Sequence, residues 1–353
     1  MKSVYINGAA CISPQNSLDK DFLNTLTEKS DQKVINAVEP VYKEFIPPAQ
    51  IRRMSKAVKM SSVASQLAIQ EAGITNPDAI IVGTGMGCSQ DSEKFLKNLL
   101  ENNEEFLTPT FFIQSTHNTV AGQIALALQC HAYNFTYVNT SSSLEFSFLD
   151  AKLQIEDGEA QNILVGAVDE QTKRTLELYE LAGIIKNEEI LPDNFLQSNS
   201  KGVIWGEGAA FFVVGEDKTE HSYAKIADIK ITNRIEKAET LSFIESFLEK
   251  NNLKPQDIDA VILGNSGDQD SDEYYREASK IFNDSSLMYY KHLSGEFNTS
   301  SGFSTFLACN ILKNQEIPSI LKMNGIERKE INNILIYNHL LGEDHSVILL
   351  ERP

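Results

Sequence analysis

Two kinds of hydrophobic spacing alternate along this chain. Short, almost wholly apolar runs occur at residues 79–82, 163–167, 209–214, 260–263, 334–337 and 346–350. They are too short for helices and predict strands covered on both faces. Between them lie segments whose apolar residues recur every three or four positions. Residues 55–72 place Ala57, Val58, Met60, Val63, Leu67 and Ala68 on one face and end at Gly73, which predicts a helix with a glycine stop. The same reasoning predicts helices over 119–128, 144–155, 240–251, 273–282 and 301–313, and strands over 2–6, 132–138 and 224–231. The result is an α/β chain in two unequal rounds, residues 1–215 and 216–353. The seam is the polar stretch G-E-D-K-T-E-H-S at 215–222. Periodicity alone allows either a doubly wound sheet or stacked layers.

The charge balance narrows the function. Lys and Arg total 31 and Asp and Glu total 49, a net charge of −18. Phosphate backbones and anionic lipid surfaces both need a basic face, so nucleic acid and membrane are disfavoured as partners. One basic patch stands out: Arg52, Arg53, Lys56 and Lys59. It reads as a solvated helix face or as a local dock for an acidic partner. No apolar run approaches the roughly 18 residues of a membrane span. The start M-K-S-V-Y-I-N-G has no apolar signal region, so a cytoplasmic location is expected. Cys11, Cys88, Cys130 and Cys309 are far apart. They read as small buried hydrophobes, not as a disulfide framework or zinc site.

Two short patterns invite a ligand and fail on inspection. Gly83-Thr84-Gly85-Met86-Gly87 follows an apolar strand, as dinucleotide-binding turns do. However, no acidic residue ends a second strand about 20 residues on, and no G-K-[ST] follows. Asp268-x-Asp270-x-Asp272 resembles the start of a calcium loop. Its sixth position is Glu273 where glycine is needed, and its twelfth is Ser279 where a bidentate glutamate is needed. A solvated turn with Asp272 capping the next helix is expected. No cofactor and no metal are expected.

The most telling segment is V-N-T-S-S-S-L at 138–144, between a predicted strand and a predicted helix. It resembles the nucleophile elbow of β-ketoacyl synthases, x-T-A-C-[ST]-[ST]. Further segments match that family in order. They are G-T-G-M-G at 83–87, H-N-T-V-A-G at 117–122, G-V-I-W-G-E-G-A-A at 202–210, and K-H-L-S-G at 291–295 followed by Gly302. The resemblance spans roughly residues 3–350 and implies the thiolase-like layered α-β-α-β-α fold made of two similar halves.

The same resemblance implies a missing active site. Such enzymes use a thiolate to hold the acyl chain and two imidazoles beside the malonyl thioester. Ser142 stands at the Cys position, Ser266 at the first His and Glu296 at the second. The C-terminal glycine loop is N-H-L-L-G-E-D at 338–344, with Leu340 or Leu341 at the gating Phe. A serine without a base is a poor nucleophile, and a glutamate would repel a developing enolate. Each lost partner typically costs about 10²–10⁴-fold. No catalytic residues are therefore expected.

Within the family, a silent copy resembles a chain-length factor. That implies a heterodimer with an active β-ketoacyl synthase, whose acyl tunnel this chain completes and limits. The strand before the elbow would pair across the two-fold, and acyl carrier protein would dock mainly on the partner. Phe111, Phe112 and Phe146 are candidates for the tunnel floor, and His117 and Asn118 for the interface. The short length resembles aryl polyene and flexirubin-type subunits. Two alternatives are carried. One is an acyltransferase or hydrolase using Ser142 with His292 or His339. The other is a non-catalytic acyl-binding homodimer.

Overall fold

The computed structural model describes residues 2–188 and 192–353. Ten strands form one continuous sheet, in the order β3-β2-β4-β5-β1-β6-β10-β9-β7-β8. The first five are β1 (Tyr5–Ile12), β2 (Ala79–Gly83), β3 (Tyr133–Tyr137), β4 (Asn162–Asp169) and β5 (Gly208–Gly215). The second five are β6 (Ala224–Thr232), β7 (Ala260–Leu263), β8 (Ser286–Tyr289), β9 (Asn333–Leu340) and β10 (Glu343–Glu351). Each set repeats one topology. β3, β2 and β4 are parallel, and β5 and β1 follow antiparallel. β8, β7 and β9 are likewise parallel, and β10 and β6 follow antiparallel. The sets join where Tyr5 and Ile6 pair with Lys225 and Ala224.

The helices are α1 (Pro48–Ile51), α2 (Lys56–Ala72), α3 (Ser89–Glu101), α4 (Pro109–Gln114), α5 (Thr119–Leu128), α6 (Ser143–Asp157), α7 (Lys173–Leu181), α8 (Thr240–Lys250), α9 (Asp272–Ser279), α10 (Lys291–Ser294) and α11 (Ser301–Asn314). Three apolar cores arrange them into layers. The largest holds α6 (Leu144, Phe148) and α11 (Phe303, Leu307) between residues of both sheet halves, among them Ile81, Val165, Ile262 and Ile336. A second packs α2 and α5 on the outer face of the first half. The third packs α8 and α9 on the outer face of the second. The architecture is therefore α-β-α-β-α, and the doubly wound alternative is ruled out.

Local signals explain most boundaries. The Ser55 hydroxyl accepts from Val58 N, and Gly73 at φ +67° closes α2, a serine cap and a left-handed glycine stop. β1 departs from the prediction of 2–6. It continues through Gly8-Ala9-Ala10, a run without the bulk expected of a strand. The reason is close approach: a Cβ on Gly8 would lie 2.2 Å from Ala68 O and 2.9 Å from Ala72 N. α3, α7 and β8 escape the periodicity reading. α7 buries none of its residues and α3 only Ser89 and Asp91, and apolar side chains of both, Leu96 and Leu100 on α3 and Leu178 and Leu181 on α7, stay exposed. The segment 338–344 is not a glycine loop. It forms a two-residue hairpin turn with Leu341 at φ +50° and Gly342 at φ +85°, the pairing that suits twisted strands.

Gly8→Ala should lower unfolding free energy by about 1–3 kcal/mol, because backbone atoms on α2 cannot yield to the methyl. Gly122→Ala, inside α5 with nothing within 4 Å of the new Cβ, should raise it by about 0.5–1 kcal/mol. Urea unfolding of both variants checks the contrast, and equal effects would contradict the packing described.

Candidate functional site

The elbow is built where the parallel strand β3 gives way to the central helix α6. A 3-10 turn, Thr140–Ser142, links them. Ser143 locks it: Asn139 N donates to Ser143 Oγ at 2.8 Å, and that hydroxyl donates to Thr84 O at 3.0 Å. Gly83 is obligatory beneath it, since a Cβ there would lie 2.5 Å from Ser143 carbonyl atoms. Thr140 sits in left-handed backbone at φ +44°, an outlier for a β-branched residue. Its hydroxyl donates to Asp344 on the β9–β10 hairpin. Asn233 Nδ2 donates to the other Asp344 oxygen at 2.7 Å.

Ser142 is buried and lines a cavity of about 490 Å³ together with Asn139, Thr140, Phe146, Asn233 and Asp344. No base is hydrogen-bonded to its hydroxyl among the described residues. His292 Nε2 instead faces Ile320 O at 3.0 Å, and His339 Nδ1 accepts from Gly342 N at 3.1 Å. Burial holds both rings neutral, with His292 pushed down to about 3 and His339 well below its ordinary value. His345, pushed down to about 4 by burial, lies against Tyr337 Oη at 2.9 Å and Gly342 O at 3.0 Å.

Ser266 is tied away from any substrate. Its backbone N and its hydroxyl both donate to Asp272 Oδ1, at 2.8 and 3.1 Å, and Gly267 N donates to Oδ2 at 3.0 Å. Asp272 therefore holds this loop and does not cap α9 as expected. Asp268 holds the turn before α9, accepting from Ser271 N at 2.8 Å and Ser271 Oγ at 2.7 Å, and α9 has no side-chain cap.

Glu296 is not a bare charge. Its carboxylate meets Lys291 Nζ at 2.6 Å with both side chains 1 % exposed, and Ser300 Oγ donates to it at 3.1 Å. Burial raises its carboxyl above the usual range, opposed by the Lys291 ammonium. The backbone is equally fixed: Glu296 N donates to Ile204 O at 2.7 Å and Gly206 N donates to Glu296 O at 2.9 Å. The match at 202–210 thus packs directly on the match at 291–295. A Cβ on Gly206 would strike Ser294 O at 2.0 Å.

Nearby, Glu145 on α6 is fully buried. Ser346 Oγ donates to its Oε1 at 2.9 Å, and its Oε2 has no hydrogen-bond partner. Burial pushes this carboxyl up to about 7. The G-T-G-M-G turn is also internally occupied, because Gly85 N and Met86 N donate to Asp169 at 3.0 and 2.9 Å. Those amides are not free for a phosphate.

The chain matches the family model described as "Beta-ketoacyl synthase, N-terminal domain" over residues 33–220, more than half its length. The chain belongs to the β-ketoacyl synthase family. No curated protein matches it in sequence at a significant level. Its fold is similar to "The ishigamide ketosynthase/chain length factor", with 14% identity, TM-score 0.80, and coverage of 100% of this chain and 99% of that one. A β-ketoacyl synthase from Burkholderia phymatum STM815 gives 15% identity and TM-score 0.81, covering 100% of both chains. The apo AntDE:AntF structure, a type II PKS acyl-carrier protein in complex with its ketosynthase bound to the hexaketide, gives 16% and 0.78, again covering 100% of both.

Against this family frame, the structure gathers some of the sequence candidates and separates others. Phe146 lines the Ser142 cavity and stacks on Tyr137, ring centroids 5.8 Å apart. Phe111 and Phe112 do not line it. They lie on α4, where Phe112 meets Phe95 on α3 at 5.3 Å. His117 packs against Gly87, and Asn118 occupies the position before α5 without a side-chain cap. Half of the basic patch is spent internally: Lys56 pairs with Glu207 and with Glu39, and Lys59 lies 4.0 Å from Glu39. Arg52 and Arg53 remain exposed. Sequence reasoning missed Glu145, the Lys291 partnership and Asp344. Only Lys291 carried a signal, as the first residue of K-H-L-S-G.

Among the described residues no group of three or more His, Cys, Asp or Glu side chains could hold a metal, and no helix is long and apolar enough to cross a membrane.

Lys291→Met strands Glu296 as a buried, unpaired carboxylate and should cost about 3–5 kcal/mol, whereas Lys291→Met with Glu296→Leu should recover most of that loss. Denaturant unfolding decides it, and additive losses would refute the coupling.

Glu145 gives a pH test. Its folded-state pKa lies above the unfolded value, so its contribution is full below about pH 4.5 and is lost as pH rises towards 7. The buried neutral histidines act in the opposite sense, losing stability below their ordinary pKa. They are common to both proteins in this comparison. Glu145→Gln should therefore gain on the parent between pH 5 and 7.5, by about 3 kcal/mol at most. A gap that does not change with pH would remove Glu145 from this role.

Proposed function

We propose that this chain is a catalytically silent, chain-length-factor-like subunit. It pairs with an active β-ketoacyl synthase and completes and limits the acyl tunnel of that partner. The observation that carries the reading is the state of the three positions at which the family places its Cys and two His. Ser142 has no base, Ser266 is bound to Asp272, and Glu296 is sealed in an ion pair. Nothing there can form a thiolate, assist loss of CO2 or stabilise an enolate.

The surface supports a partner. β3 is an edge strand, and an uncovered edge is a pairing template. Its residues Tyr133 and Phe135 are 46% and 43% exposed, and Leu126 on the neighbouring α5 is 72% exposed. Apolar groups gathered at such an edge mark an interface. Phe146 joins this face to the Ser142 cavity and is the best-placed tunnel residue. Phe111 and Phe112 remain interface candidates further along the same side. The similarity in fold to the ishigamide ketosynthase/chain length factor supports the same role.

The product class in this reading is of aryl polyene, polyketide or fatty-acid-like type, and the compact length resembles the subunits of aryl polyene systems. The complex works in the cytoplasm in this reading. Acyl carrier protein docks mainly on the active partner, since Lys56 and Lys59 are already engaged by acidic side chains of this chain.

Co-expression with the ketosynthase encoded beside it should give a one-to-one complex by native mass spectrometry. In that complex Ser142→Ala should leave product formation within about two-fold of the parent, and Phe146→Ala should lengthen the product chain. A homodimer that ignores the synthase refutes the pairing. A collapse of turnover in Ser142→Ala, with the complex intact, refutes the silent role.

A further inference from the structure

The elbow carries a second hydroxyl that the family's chemistry does not use. Thr140 lies two residues before the expected nucleophile, in left-handed backbone that a β-branched side chain avoids. Asp344, which accepts its proton, is also left-handed, at φ +54°. Aspartate tolerates that conformation and threonine does not, so the strain lies at Thr140, and strained positions are often functional. The geometry is that of an activated nucleophile: a hydroxyl bonded to a base, and the base oriented by a third group. Asn233 Nδ2 is that third group, 2.7 Å from the far Asp344 oxygen. Backbone contacts fix the carboxylate further, with Asp344 N donating to Asn233 O at 2.7 Å and Ser141 Oγ to Asp344 O at 3.4 Å. Thr140, Asn233 and Asp344 all line the cavity of about 490 Å³, which also receives the Ser142 hydroxyl and the Phe146 ring.

We propose that Thr140 is an acyl acceptor, taking an acyl group from a thioester with Asp344 as its base. Thr140 Oγ forms a bond to the thioester carbonyl carbon while its proton passes to Asp344. The C–S bond then breaks, the electron pair leaves with sulfur, and Asp344 returns the proton to the thiolate. The products are an acyl-threonine ester and a free thiol, with no change of oxidation state. Partial burial raises the Asp344 carboxyl above the usual range, which strengthens it as a base. The step forms no carbon–carbon bond, so it stands apart from the silent role in condensation, and it needs only this chain.

The test uses the full chain alone, incubated with hexanoyl-N-acetylcysteamine and read by intact-protein mass spectrometry with fragment mapping. The expected result is one hexanoyl adduct per chain on Thr140. It should be lost in Thr140→Val, cut at least ten-fold in Asp344→Asn, and kept in Thr140→Ser and Ser142→Ala. Melting curves confirm that each variant is folded, and Thr140→Ser keeps the hydroxyl if the valine variant is not. No adduct on the parent, an adduct mapped elsewhere, or labelling that survives Thr140→Val or Asp344→Asn in folded protein overturns the assignment. None of these outcomes bears on whether the chain pairs with a synthase.

Discussion

One helix in this molecule, α11, has almost no face left for water, and it shares the middle layer with α6. α6 and α11 lie between the halves of the sheet, and in α11 every residue from Ser301 to Cys309 is buried. Everything else follows from seating them. Their sheet-facing positions must be small or apolar, as at Gly302, where a Cβ would meet Ala210 Cβ at 2.9 Å. The chain can enter the layer only through tight turns. The elbow at Thr140–Ser142 is one such turn, and the segment from Lys291 to Ser300 is the other. The fold therefore brings both segments towards the same interior whether or not chemistry is done there.

That interior must be filled by something. At the second turn the polar groups face one another, in a network that joins Lys291, Glu296, Ser300, Tyr290 and Asn338. A buried ion pair of this kind adds little net stability, because desolvation offsets attraction, yet removing one partner is costly. The members of the network depend on one another, because removing the Lys291 ammonium would leave the Glu296 carboxylate unpaired. The unpartnered Asn265 Oδ1, Asn338 Nδ2 and Glu145 Oε2 mark where the substitution is incomplete, and ordered water suits such sites.

Much of this was legible from residues alone. Helices with a clear stripe and a stop, such as α2 with Ser55 and Gly73, announce themselves. So do short apolar strands between glycines, such as Ala79–Gly83. The illegible parts share a cause, which is contact between segments distant in sequence. β1 hid its length because α2 demands small residues at Gly8, a constraint set 60 positions away. Asp344 gave no sign that it would reach Thr140, 204 residues earlier. Glu296 reads as a lone negative charge until the buried Lys291 is placed beside it. Asp268 and Asp272 are equivalent in a string of alternating aspartates, and only the turn decides that Asp272 holds Ser266 and Gly267 while Asp268 holds Ser271.

The two-residue turn at Leu341–Gly342 has a consequence for motion. A glycine-rich loop can sample several shapes and so can open and close over a site. A type I′ turn closed by paired strands, with both Gly342 backbone groups held by histidines, has essentially one shape. The segment has exchanged a hinge for a strut. This chain therefore supplies a fixed wall beside Ser142, where Glu343 and Asp344 line the same cavity.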